Sequence, residues 1–284
     1  MYMVAHDGTV CNDAMAGWHR YLVRRGYAMN TRQHRVGLVR RWFEYIGDDW
    51  QSATYRDVEA FADDLGVSAS SQRAHLSHLR AFYRWARREG IADHNPVDLV
   101  DLPRLGTRLP RPAPEDAIAH VLAVADAPMA AIVGVMATAG LRCCEIAALR
   151  WCDVDLAAGE AIVLGKGNRQ RLCYLTRDAV VLLAALDGTD GHVWRSPHRH
   201  GNPPYSPHRV SQMVAQAFTA CGYTHTAHQL RHRAATQALT AADGDLLAVR
   251  DMLGHASVAT TQIYTRVASA RTAHVARSVA MPTA

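Results

Sequence analysis

Apolar residues recur at three- and four-residue steps through most of the first hundred positions, the period of helices with one buried face. A first helix is predicted over residues 12–26. Thr31 is read as the cap of a second, which carries Val36, Leu38, Val39, Trp42, Phe43 and Ile46. Thr54 with Asp57 three residues on has the form of a capping box and opens a third helix ending near Gly66. A fourth spans residues 68–90, with Leu76, Leu79, Tyr83 and Ala86 on one side. Arg73, Arg80, Arg84, Arg87 and Arg88 lie on its other side, a stripe that suits DNA phosphates and equally a solvated helix face.

Pro96, Pro103, Pro110, Pro112 and Pro114 then break the period, and residues 104–114 read as a linker. Its arginines, Arg104, Arg108 and Arg111, suit a strap over a polyanion. Beyond it the pattern is mixed. Helices are predicted over residues 115–127, 128–139, 178–186, 207–221, 227–241, 246–253 and 258–280. Two short strands, 161–164 and 171–175, flank Gly165-Lys166-Gly167-Asn168-Arg169 as a hairpin. The fold class expected is mainly α in two domains: a helical unit over 1–103 and, over 115–284, an α-rich unit with a small antiparallel sheet.

The composition is that of an ordinary globular protein, 49% apolar and 20% charged, which excludes a disordered or fibrous chain. The longest nearly apolar run, residues 127–141, contains Pro128 and is shorter than the roughly 20 residues of a membrane span. The N-terminal residues have no basic segment followed by an apolar one, so no secretory signal is expected. The six cysteines form no CxxC pair, which points to a reduced, cytoplasmic protein. The net charge of +5 arises entirely after residue 103 and fits an anionic partner. Of the 31 basic residues, 30 are arginine and one is lysine, Lys166. Lysine can be tuned to release a proton where arginine holds it, so a lone lysine is a candidate for proton transfer.

Four segments stand out together. They are Thr138-Ala-Gly-Leu-Arg142-Cys-Cys-Glu145, Gly165-Lys166-Gly-Asn-Arg169, His228-Gln-Leu-Arg231-His232 and Leu253-Gly-His255, the last followed nine residues later by Tyr264. In this order and spacing the set resembles the tyrosine recombinases, the group of phage integrases and Xer-type chromosome-resolution enzymes. The resemblance runs from about residue 12 and is densest between 138 and 266.

The resemblance implies a site-specific DNA recombinase. The N-terminal unit would bind the core recombination site and the C-terminal unit would carry the chemistry. Tyr264 is the implied nucleophile, forming a 3′-phosphotyrosyl intermediate on the way to a Holliday junction. Arg142 and Arg231 would fork the phosphate oxygens, and His228 and His255 would accept a proton or donate to the phosphate. Lys166 would protonate the leaving 5′-oxygen, and Glu145 would orient the arginine or the lysine. Arg169 and the arginines of the stripe and linker are the expected DNA contacts. No cofactor is implied, since the covalent bond conserves the phosphodiester energy without ATP or metal. The implied partners are double-stranded DNA, three further copies of the chain held through the C-terminal helix, and a host or phage accessory factor, with a nucleoid-associated location and no membrane.

His232 reads as a packed helix residue, and Cys143 and Cys144 as space-fillers behind Arg142. His192, His198, His200 and His208 raise the idea of a metal-dependent nuclease, but no pair sits at i, i+4 on a helix. The pattern also admits an Xer-like dimer resolvase, a topoisomerase of the related tyrosine type and a non-catalytic DNA-binding protein.

Overall fold

A computed structural model describes residues 9–106, 109–165, 170–196 and 200–254. The chain divides into two compact units, Met1–Thr107 and Arg108–Ala284.

Among the described residues the first unit contains four α-helices, α1 (Thr9–Arg24), α2 (Met29–Ile46), α3 (Tyr55–Asp64) and α4 (Ala69–Arg88). Its core is aromatic. Trp18, Trp42, Trp50, Phe82 and Tyr83 are all fully buried, and Trp85 nearly so. The indole N–H of Trp42 donates to the Tyr83 hydroxyl at 3.0 Å, which donates onward to the Trp50 carbonyl at 2.6 Å. That relay satisfies polar atoms that would otherwise be stranded. Thr54 and Asp57 form the expected capping box, and Ser68 caps α4. Thr31 does not cap α2. The helix begins at Met29 behind Ala28, which makes no side-chain cap bond, so Thr31 lies within the first turn.

The arginine stripe is not uniform. Arg84 and Arg87 are exposed, whereas Arg80 is half-buried. Arg80 donates from Nη2 to the Val97 carbonyl at 2.6 Å, and its Nε lies 3.2 Å from Asp98, bracing the 3-10 turn Pro96–Leu99. Arg73 donates to the Pro103 carbonyl at 3.1 Å, and Arg88 lies over the Tyr21 ring.

The second unit is built around α6 (Ala127–Ala139), which is buried on nearly every side. It packs against α5 (Glu115–Val124), α8 (Arg177–Ala184), α9 (Pro207–Ala220) and α10 (Ala227–Ala241). Gly134 lets α6 approach α8, since a Cβ there would collide with Leu182. Between α6 and α8 come the short α7 (Cys143–Ala148) and a three-stranded antiparallel sheet. Its strands are β1 (Val154–Asp155), β2 (Glu160–Leu164) and β3 (Gln170–Tyr174), in the order β1-β2-β3. Val163 pairs with Arg171 and Ala161 with Cys173, so these four side chains share one face. The last described helix is α11 (Leu246–Leu253), closed by Gly254 in the left-handed region. The end of the proline-rich segment is part of this unit: Ala113 is buried and donates its N–H to the Gln229 carbonyl at 3.1 Å.

Candidate active site

The site begins where α6 ends. Gly140 closes that helix with φ of 66°, and a Cβ there would lie 2.7 Å from Leu253 and 3.3 Å from Ala234. Glycine alone allows both the turn and the approach. The chain then turns so that Arg142 caps α7 in an extended conformation. Glu145, the third residue of α7, reaches back to it. The Arg142 backbone N–H donates to Glu145 Oε2 at 2.9 Å, and Arg142 Nη1 donates to Oε1 at 2.9 Å. A buried carboxylate therefore holds both the backbone and the guanidinium of Arg142, whose side chain stays one-third exposed.

Arg231 approaches from α10 and is only 3% exposed. It donates from Nη1 to the Gly140 carbonyl and from Nη2 to the Leu253 carbonyl at 2.8 Å. Arg142 Nη1 reaches the same Leu253 carbonyl at 3.4 Å, and its Nη2 reaches the Gly254 carbonyl at 3.5 Å. Two guanidiniums from distant parts of the sequence thus meet at the turn that precedes His255. Carbonyl oxygens there accept what an anionic oxygen would accept more strongly.

His228 sits one turn before Arg231 on α10 and is partly exposed to solvent. Burial of the rest of its ring, then the charges of Arg231 and Arg142, push its pKa below the usual imidazole value. His232 is half-buried with its ring centroid 4.2 Å from that of His228, an edge-to-face pair. Its pKa is pushed down to about 4, by burial first and then by His228 and Arg231. Both rings are neutral at neutral pH.

Cys143 is half-buried against the core, and burial raises its thiol pKa. Cys144 is exposed and fills no space behind Arg142, because α7 turns it outward. Arg104 and Arg111 are exposed. Lys166, Arg169, Arg108, His255, Tyr264 and the helix expected over 258–280 lie outside the described residues. Of the four histidines considered for metal, His198 also lies outside them. Among the described residues no three His, Cys, Asp or Glu side chains converge as metal ligands. No helix among the described residues is long and apolar enough to cross a membrane.

Sequence reasoning passed over Arg171. This second residue of β3 donates from Nη2 to Glu145 Oε2 at 3.0 Å, and it is largely buried. The detectable signal is its phase, since Arg171 alternates with Cys173 toward the interior while Leu172 and Tyr174 face outward. Arg233 was also passed over. It forks Glu115 with two bonds of 2.8 Å and ties α10 to α5.

The model of the phage integrase family matches residues 114–271, and that of the phage integrase N-terminal SAM-like domain matches residues 15–90. Among curated proteins, a tyrosine recombinase XerC of Xanthomonas axonopodis pv. citri is 34% identical over 77% of this chain and 74% of its own. A tyrosine recombinase XerD of Caulobacter vibrioides is 32% identical over 84% of this chain and 86% of its own. Among solved structures, the XerA recombinase covers 95% of this chain and 100% of its own at 25% identity and a TM-score of 0.52. A lambda integrase tetramer bound to a Holliday junction has a TM-score of 0.72 at 19% identity, covering 89% of this chain and 76% of its own, a likeness of fold. With both units matched and relatives of one-third identity spanning most of the chain, the protein belongs to the phage integrase family and is a tyrosine recombinase, a site-specific DNA strand transferase.

Proposed function

We propose that Tyr264 cleaves one DNA strand by attacking the scissile phosphate, while Arg142 and Arg231 hold the non-bridging oxygens. The observation that carries this reading is the meeting of the two guanidiniums at the Leu253–Gly254 turn. A pentavalent phosphorus gathers negative charge on its equatorial oxygens, and preorganised planar donors stabilise that charge. Arg231 is fixed by two carbonyls and Arg142 by one carboxylate, so little reorganisation is needed when phosphate arrives.

The proton balance assigns the other roles. The Tyr264 phenol must lose a proton, and His228, held neutral by burial and by two arginines, accepts it. The phenolate oxygen bonds to phosphorus as the bond to the 5′-oxygen breaks, and Lys166 supplies that oxygen's proton. His255 donates to a phosphate oxygen. The products are a 3′-phosphotyrosyl strand and a free 5′-hydroxyl, and attack by a 5′-hydroxyl from a second duplex reverses the step. The side chains neutralise the phosphate, so no cofactor is invoked.

The exposed Arg84, Arg87, Arg104 and Arg111, with Arg73, Arg88, Arg108 and Arg169, supply phosphate contacts to duplex core sites. Arg80 contributes through the turn that it braces. The active assembly is a tetramer on a Holliday junction, the state in which lambda integrase was solved. Residues 258–280 link its subunits, an accessory factor sets direction, and the reaction takes place on DNA in the bacterial cytoplasm. An integrase of a phage or mobile element is the first reading. A chromosome or plasmid dimer resolvase is the second, favoured by the XerC and XerD relatives.

Tyr264→Phe tests the central assignment. It is expected to bind core-site DNA and form no covalent adduct on a nicked suicide duplex. A normal yield of adduct would remove Tyr264 as nucleophile. Wild-type cleavage is expected to continue in EDTA, and its loss with recovery on adding zinc or magnesium would refute the metal-free scheme.

A further inference from the structure

We propose that Arg171 is a positioning residue for strand cleavage: it shares the Glu145 carboxylate with Arg142 and so leaves the positive charge of Arg142 uncancelled toward the scissile phosphate. This rests on the reading of Arg142 as a phosphate-binding arginine.

The argument begins with charge. Glu145 is 1% exposed and lies within hydrogen-bonding distance of two guanidiniums, Arg142 on Oε1 and Arg171 on Oε2. A buried Arg142–Glu145 pair alone would be neutral. The carboxylate would spend its whole field on Arg142, and the phosphate would meet a cancelled cation. With Arg171 on the second oxygen, one negative charge is divided between two positive ones. The trio keeps a net charge of one, and Arg231 adds another at the same turn.

Arg171 is held where it can do this. Strand register sets it opposite Val163, on the inward face with Cys173. Its stem lies against Gly254, where a Cβ would sit 2.7 Å from Arg171 Cδ. Its Nε and Nη1 are buried with no nitrogen or oxygen acceptor among the described residues, and the Cys173 thiol, a weak acceptor, is the other group that the guanidinium meets. Unfilled buried donors are costly, so bracing the hairpin is a poor account of an arginine here. An apolar side chain would brace it at less cost. What arginine supplies is a positive charge at Glu145, beside the turn that receives Arg142 and Arg231.

The test compares single-turnover cleavage of two suicide duplexes. One carries the ordinary scissile phosphate, and the other a methylphosphonate, which lacks one charged oxygen. Wild type, Arg171→Met and Arg171→Lys are assayed at saturating protein, with core-site affinity measured alongside. By analogy with the groups that orient metal ligands, whose loss costs about 10–100-fold, Arg171→Met is expected to slow cleavage of the phosphate by a similar factor. Affinity is expected to change by less than about threefold, because other phosphate contacts remain. On the methylphosphonate the loss is expected to shrink to about twofold, since the charge that Arg142 would neutralise is absent. Arg171→Lys, which keeps the charge without the fork, should fall between. Equal slowing on both duplexes would make Arg171 a brace only, and no slowing on phosphate would refute the role outright.

If Arg171→Met does not fold, the same ratio is read from Arg171→Lys. Ordinary DNA gives an independent measure. Added to Glu145→Gln, which removes the charge that Arg171 balances, Arg171→Met is expected to cost less than about threefold, and full additivity would overturn the proposal. Failure of the wild type to cleave either duplex would refute the proposed cleavage by Tyr264 instead.

Discussion

Glu145→Gln is the sharpest single perturbation of this site. The native carboxylate accepts three bonds, from the Arg142 backbone and Arg171 at Oε2 and from Arg142 Nη1 at Oε1. Glutamine has the same shape and one oxygen. With that oxygen placed at the Oε2 position, two bonds survive with a neutral acceptor. The amide NH2 then faces Arg142 Nη1, donor against donor. Removing one partner of a buried ion pair costs about 3–5 kcal/mol, and the full figure applies because Glu145 is buried and two cations lose their counter-ion. For a unit of this size each kcal/mol moves the melting temperature by about 2–4 °C, so a fall of about 6–20 °C is expected. Differential scanning calorimetry of the whole chain, reading the transition of the second unit, measures it. A shift below about 2 °C would refute the reasoning, because a carboxylate so little coupled could not organise Arg142.

Three further outcomes are expected. Arg231→Ala should slow single-turnover cleavage roughly 100–1,000-fold, and the Gly140 carbonyl that it strands should cost about 1–3 kcal/mol in urea melts, the Leu253 carbonyl keeping its bond from Arg142. Lys166→Ala should fail on ordinary DNA yet cleave a strand whose bridging 5′-oxygen is sulfur, a leaving group that needs little protonation; absence of rescue would move the general acid elsewhere. His232, at about 4 in the folded chain against roughly 6.5 unfolded, gives stability that is complete above pH ~6.5 and is lost as pH falls toward 4, since the unfolded chain takes the proton first. With solvent screening of a half-buried ring that loss is about 1–2 kcal/mol, and His232→Leu should flatten the acid limb of a denaturation–pH series.

The helices were legible where periodicity and stop signals agreed. The bounds expected for α10 and α11 match the structure, because Thr226 and Asp245 precede them and Gly254 ends the second. The start of α2 lies two residues before Thr31, whose side chain has the form of a cap, because Ala28 opens the helix with no side-chain cap bond. β1 was not seen, since two residues are too few to show alternation. Arg142, Glu145 and Arg231 stand out in the sequence through their motifs, and the structure adds that Glu145 holds Arg142 and that the two arginines meet at the Leu253–Gly254 turn. Arg171 escaped because its partner lies 26 residues back and the phase of its strand is inverted. Leu172 and Tyr174 are exposed while an arginine points inward, the reverse of what hydrophobicity alone predicts.

The aromatic core of the first unit also decides what light can report. Of six tryptophans, Trp18, Trp42, Trp50 and Trp85 lie in that unit, leaving Trp151 and Trp194 for the second. Trp18 and Trp85 lie 5.5 Å apart, and Trp50 lies 5.4 Å from Phe82, packed in fixed asymmetric surroundings. Near-ultraviolet circular dichroism, which depends on such packing, is therefore dominated by the first unit, and tryptophan emission is weighted the same way. A substitution among Arg142, Glu145, Arg171 and Arg231 can unfold the second unit while both signals stay close to those of the intact protein. An optical melt would then call such a chain folded, and its lost cleavage would be mistaken for lost chemistry.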